Sequence, residues 1–117
     1  MTVRRLKTYA SSQGFAYQYY FVRKQAAIGD REGTEYVFDV TSDRKLTYAV
    51  RIFVPTAAVL EWGEVHLRSL SESEQYAAVK LRLFRAFDEA SDMQAEGQEL
   101  QVDAPFLEES LASLGVT

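Results

Sequence analysis

The sequence contains no cysteine and no asparagine, one histidine, two prolines and six scattered glycines. Each shortage removes a class of chemistry. Without cysteine there is no disulfide, no thiolate nucleophile and no cysteine-ligated zinc site. Without asparagine there is no N-glycosylation acceptor. The lone His66 cannot ligate a metal ion by itself, and no serine or cysteine nucleophile motif accompanies it. The glycines form neither the G-x-G-x-x-G nor the G-x-x-x-x-G-K-[ST] spacing, so no dinucleotide or P-loop phosphate cradle is expected. No stretch approaches the roughly 18 consecutive apolar residues of a membrane span. The start, MTVRRLKTYASS, is charged but lacks the apolar stretch of a signal peptide. The expectation is a soluble, cytoplasmic protein with no membrane partner, no cofactor and no metal.

The 117 residues are 47% hydrophobic and 26% charged, close to globular averages, which argues against disorder. At this length one hydrophobic core is expected, hence one domain over residues 1–117. Within it we expect a sheet over 5–54, two helices over 56–92, and a short strand and helix over 98–115.

The net charge of -4 is divided unevenly along the chain. Residues 1–55 carry nine cations (Arg4, Arg5, Lys7, Arg23, Lys24, Arg31, Arg44, Lys45, Arg51) against five acids (Asp30, Glu32, Glu35, Asp39, Asp43), a balance of +4. The remainder therefore carries -8. Such a division can mark an anionic partner or two halves that attract each other; the second is the simpler reading.

Hydrophobic periodicity separates a β-rich first half from an α-rich second half, the pattern of a segregated α+β fold rather than of repeated βαβ units. The predicted architecture is an antiparallel sheet of four or five strands with two to three helices on one face. Leu6–Ala10 and the aromatic run from Phe15 to Lys24 read as a hairpin turning on Ser11 to Gly14. In the segments 34–41 and 46–54 the even positions Tyr36, Phe38 and Val40, and Leu46, Tyr48, Val50, Ile52 and Val54, are apolar. Keeping both apolar sets on one face requires partners whose numbers sum to an even value, since a one-residue slip inverts every side chain. A three-residue loop, Ser42 to Arg44, meets this condition. It pairs Thr41 with Lys45, Phe38 with Tyr48 and Glu35 with Arg51, and puts Arg44 where glycine is usual.

Thr56 is the expected N-cap of a first helix through Ala57, Val59, Leu60 and Trp62. The Ser71 to Glu74 stretch has the S-x-x-E form of a capping box, which starts a second helix over about 72–90. Its stripe of Tyr76, Val79, Leu83 and Phe87 should face the sheet, making one cluster with Tyr36, Phe38, Tyr48 and Val50. Met93 to Gly97 reads as linker, Glu99 to Val102 as a short edge strand, and Asp103 to Leu114 as a last amphipathic helix ending at Gly115.

Carboxylates at Glu61 and Glu64, and at Asp88, Glu89 and Asp92, have spacings that acid–base or metal chemistry can use, yet these spacings are common on any solvated helix. Arg85 precedes Asp88 and Glu89 at ion-pair spacing. The chain is not read as an enzyme. The feature that departs from an ordinary small domain is the aromatic strand: Phe15, Tyr17, Tyr19 and Phe21 share one side, Tyr20 stands on the other, and Arg23 and Lys24 follow. One set of helices cannot bury both sides. The candidate interaction surface is therefore Tyr17, Tyr19, Phe21 and Arg23, or the stripe Phe106, Leu107, Leu111 and Leu114 on the last helix. The expected function is a non-catalytic interaction module that self-associates, as a homodimer, through one of these surfaces or binds a protein partner. The alternatives are single-stranded nucleic-acid binding by stacked rings and cations and a small-ligand or enzymatic site between sheet and helices.

Overall fold

The computed structural model describes residues 6–27 and 29–117. Arg4 and Arg5 of the basic half, and the first residue of the expected sheet range, lie outside these. Five strands form one sheet in the order β1-β2-β3-β4-β5: β1 is Lys7–Ala10, β2 Ala16–Ala26, β3 Gly33–Thr41, β4 Tyr48–Pro55 and β5 Glu99–Gln101. The first four run antiparallel as successive hairpins, while β5 pairs in parallel with β4. The fold is α+β with a mostly antiparallel sheet. The parallel edge arises because the helices between β4 and β5 carry the chain back to the start of β4 before it pairs again.

The helices are α1 (Thr56–His66), α2 (Glu72–Glu89), α3 (Met93–Glu96) and α4 (Ala104–Ser113). The capping box is formed: Ser71 Oγ accepts from Glu74 N, and the Glu74 carboxylate accepts from Ser71 N at 2.9 Å. The Arg68 guanidinium adds a forked pair to the same carboxylate at 2.9 and 3.0 Å. These bonds favour the charged form and hold the Glu74 pKa down at about 2, Arg68 contributing most. Asp103 caps α4 by accepting from Phe106 N, and Gly115 turns the chain out at φ 78°. Two helix boundaries differ from expectation. Thr56 is the first residue of α1 and Pro55, extended at φ -63° and ψ 137°, its N-cap without a side-chain bond, while the Thr56 N–H left free at the helix start donates to the Glu32 carbonyl. The stretch read as linker contains α3, capped by Asp92, whose Met93 is buried against the sheet-side core.

The β3–β4 hairpin keeps the expected faces but not the expected partners. Phe38 pairs with Val50, Val40 with Tyr48, Glu35 with Phe53 and Val37 with Arg51. Every partner is displaced by two residues, which preserves the side of each side chain. The cause is a longer loop built on Asp43. Its Oδ1 accepts from Lys45 N and Leu46 N at 2.8 and 2.9 Å, and Thr41 Oγ1 accepts from Arg44 N. Such Asx-type bonding holds Arg44 at φ 65° and leaves Leu46, expected to open the strand on its apolar face, outside the strand and exposed. The bonds from Leu46 N and Lys45 N also hold the Asp43 carboxyl below its ordinary pKa.

The core lies on one side of the sheet. Tyr36, Phe38, Val40, Tyr48, Val50, Ile52 and Val54 meet Val79, Leu83 and Phe87 of α2, Ala58 and Trp62 of α1, and Leu107 and Leu111 of α4 in one buried cluster. Burial of this kind contributes about 25 cal/mol per Å² of apolar surface removed from water. It is the term that holds the two halves of the chain together. The charge division contributes little: among the described ion pairs Lys24 with Glu72, at 3.0 Å and exposed, joins a cation of the first half to an acid of the second.

Candidate interaction surface

The aromatic strand supplies the inner side of the sheet. Tyr17 and Tyr19 are 3% and 4% exposed. The Tyr17 ring stacks on Phe87 at 4.2 Å between centroids with 7° between planes, and Tyr19 meets Phe38, Phe84 and Phe87. Phe21 is half-buried against Phe38 and Tyr76. Phe15 lies just before the strand, largely exposed, with its edge to Tyr17. Tyr17, Tyr19 and Phe21 therefore pack within their own chain beneath α2. They do not form an open surface, since the apolar stripe of α2 is what lies over them. Burial also raises the phenol pKa values of Tyr17 and Tyr19.

Arg23, nominated with these rings, is on the opposite side. Tyr19 pairs with Val40 and Phe21 with Phe38, but Arg23 pairs with Val37, so Val22 is an extra residue in β2. This bulge inverts the alternation: Lys24 turns to the helix side, where it meets Glu72, and Arg23 turns away. The expected interleaving of rings and cations on one face is thus broken. Sequence alternation alone cannot reveal such a bulge.

On the helix-free side the sheet is covered by its own polar side chains. Val37 and Phe53 are 2% and 7% exposed, yet neither belongs to the helix-side cluster. The Arg31 guanidinium lies 4.3 Å from the Phe53 ring centroid, and the ring rests against Gly33, where any Cβ would collide with it. Glu35 is nearly buried beside them. Its carboxylate accepts from Gln25 Nε2 at 3.0 Å and stands 3.7 Å from Arg31 and 3.9 Å from Arg51. Arg23 Nε donates to Gln25 at 2.9 Å. Toward the β3–β4 loop, the Tyr20 hydroxyl donates to Asp39 at 2.7 Å, beside a shallow hollow lined by Gln18, Tyr20, Thr41 and Arg44. The resulting surface is a layer of guanidinium and amide groups over two apolar side chains.

The last helix is split in the same manner. Leu107 and Leu111 are buried against α1 and α2, Phe106 is half-buried under Arg82 and Arg85, and Leu114 is exposed. The space between sheet and helices is filled by rings and aliphatic groups, with Phe38, Leu83 and Phe87 fully buried. His66 does not join Glu61 or Glu64. Its imidazole stacks on Trp62 at 4.1 Å and its Nε2 meets the Glu108 carboxylate at 2.7 Å, tying α1 to α4. Asp88 is a structural tether: it accepts from the Tyr9 hydroxyl at 2.8 Å and from Ser12 N at 2.9 Å, fastening the first hairpin to the end of α2, while Arg85 pairs with Glu89. No helix among the described residues is long and apolar enough to cross a membrane. Compared with models of protein families, with curated proteins and with solved structures, the chain matches none.

Proposed function

We propose that the chain is a non-catalytic interaction module that self-associates, two copies packing through the helix-free side of the sheet. The observation that carries this reading is that, among the described residues, the helices close one side only, while on the other Val37 and Phe53 are buried outside the helix-side cluster and Phe53 lies beneath Arg31. A second sheet packed face to face is one of the layer arrangements that can cover the open side of a sheet. The polar groups suit a second copy. Arg23, Arg31, Arg44 and Arg51 are interspersed with Glu35, Asp39 and Glu99, so both signs of charge are available to a two-fold contact. The stacking mode of single-strand binding calls for successive exposed rings. Tyr20 and the capped Phe53 are the rings on this side among the described residues, so that mode is less well supported.

Light scattering on the full chain tests the proposal. The expected mass at high concentration is twice 13.3 kDa. The double variant Arg23→Glu with Arg51→Glu should be monomeric at the same concentration while keeping the circular dichroism of the parent. A parent that stays at the monomer mass, or a variant that still doubles, defeats the reading. So does salt-sensitive binding of a single-stranded oligonucleotide by a monomeric parent, lost in that variant.

A further inference from the structure

A second cluster, at the corner between β1 and α2, lies on the helix side and is independent of the open sheet. Lys80 stands on α2 with its Nζ 5.6 Å from the ring centroids of Tyr19 and Phe84 and 6.0 Å from that of Tyr76. Tyr9 stacks on Phe84 at 4.5 Å with planes 3° apart, which extends the aromatic floor to the sheet edge. Lys7 is the cross-strand partner of Tyr19, so its stem rises from the same floor and borders the ring that Lys80 Nζ approaches. Two ammonium groups beside one ring repel each other, and the rings around them offer π faces but no full negative charge. None of the described ion pairs brings a carboxylate to either lysine, although Lys24 nearby has Glu72. Burial first, and Lys7 second, lower the pKa of Lys80, as expected for a cation that lacks a counter-charge.

We propose that Lys7 and Lys80 form an oxyanion site that takes a phosphate group, either free phosphate or the terminal group of a small phosphorylated compound. Each ammonium carries three donors and no acceptor, so the pair cannot satisfy itself, whereas a phosphate oxygen can accept from both at once. A phosphate dianion also matches two cations in charge, and lysine serves phosphate as a compact point charge. The aromatic floor excludes water from one side of the pair and strengthens the attraction there. Lys7 lies on the exposed edge strand, which leaves the other side of the pair open to a ligand.

The test is titration of the full chain with inorganic phosphate, and separately with pyrophosphate, read on the lysine side-chain nitrogen resonances by NMR. Saturable shifts confined to Lys7 and Lys80 are expected, together with a rise in the pKa of Lys80 when the site is filled. Lys7→Gln and Lys80→Gln should each weaken binding at least tenfold, and Lys80→Arg should restore part of it. Should Lys80→Gln fail to fold, Lys7→Gln decides the matter, because its side chain is exposed. Tighter binding of pyrophosphate would point to the terminal group of a larger compound, and equal binding to free phosphate; both support the site. Absence of saturable shifts, or shifts that persist unchanged in Lys7→Gln, overturns it. Acetate binding as tightly as phosphate overturns the matching of charge.

Discussion

The two sides of this sheet come from the same strands, yet they reach burial by different means. On the helix side, Tyr17, Phe38, Val50 and Phe87 are enclosed by a second layer of structure. On the other, Val37 and Phe53 are enclosed by the stems and planar heads of residues from their own sheet and its adjoining loop. Alternation in a strand dictates that some side chains point each way, but it does not dictate what covers them. A layer of helices is rigid and dry. A layer of arginines is made of groups that lose side-chain entropy when held in place and that keep their polar ends in water. The first cover should therefore cost more to breach.

Truncation of a ring on each side measures that difference. Phe87 is fully buried and touches Tyr9, Tyr17 and Tyr19, so Phe87→Ala removes packing that rigid neighbours cannot replace. The expected loss is about 3–5 kcal/mol in urea denaturation. Phe53→Ala should lose about 1.5–3 kcal/mol, close to the transfer term alone, since Arg31 can settle into the space. A loss for Phe53 equal to that for Phe87 would show that the arginine layer packs as tightly as the helical one. A loss below about 1 kcal/mol for Phe87 would remove it from the core.

Gly33 sharpens the comparison from the opposite direction. A Cβ at this position would meet the Val54 carbonyl and the edge of the Phe53 ring, 2.7 Å away. Gly33→Ala should cost about 1–3 kcal/mol through overpacking. Combined with Phe53→Ala, only the part of that cost owed to the ring should disappear, because the nearer obstacle, the Val54 carbonyl, remains. Additive losses in the double variant would place the strain on the Val54 carbonyl alone. The same denaturation series reads both outcomes.

Much of this architecture is legible in the sequence wherever local chemistry decides. The capping box at Ser71 and Glu74, the stripe of α2 and the even-numbered apolar face of β3 and β4 are local patterns, and each is found in place. The features that are not legible depend on partners remote in sequence or on irregular backbone. The loop at Asp43 closes through three backbone donors and moves the register by two residues; nothing in the alternation distinguishes sums that differ by an even number. The bulge at Val22 turns Arg23 to the other side, and a β-branched residue in a strand carries no mark of being the extra one. The candidate surface suffers from both. An aromatic strand announces burial but not which layer provides it, so Tyr17 and Tyr19, nominated for a partner, are taken by α2. The lysine pair escapes notice for the same reason: Lys7 and Lys80 are brought together only by the packing of α2 on β1.

The smallest expected effect concerns the charges that roof the open side. Register places Glu35 opposite Phe53 and Arg51 opposite Val37, so the carboxylate and guanidinium meet diagonally, at 3.9 Å, rather than face to face. Arg31 at 3.7 Å and the Gln25 amide at 3.0 Å compete for the same carboxylate. The Arg51 side chain is half exposed, so water and salt screen the pair. A double-mutant cycle over Glu35→Gln and Arg51→Gln should give a coupling of about 0.2–1 kcal/mol, declining as salt is raised. The single change Glu35→Gln also alters the contacts with Arg31 and Gln25, but these losses occur on both arms of the cycle and cancel. A coupling above about 2 kcal/mol would mean that Glu35 depends on Arg51 as a buried charge depends on its sole partner. The arginine layer would then be a fixed part of the fold, not the adaptable cover that lets this side of the sheet meet a second copy.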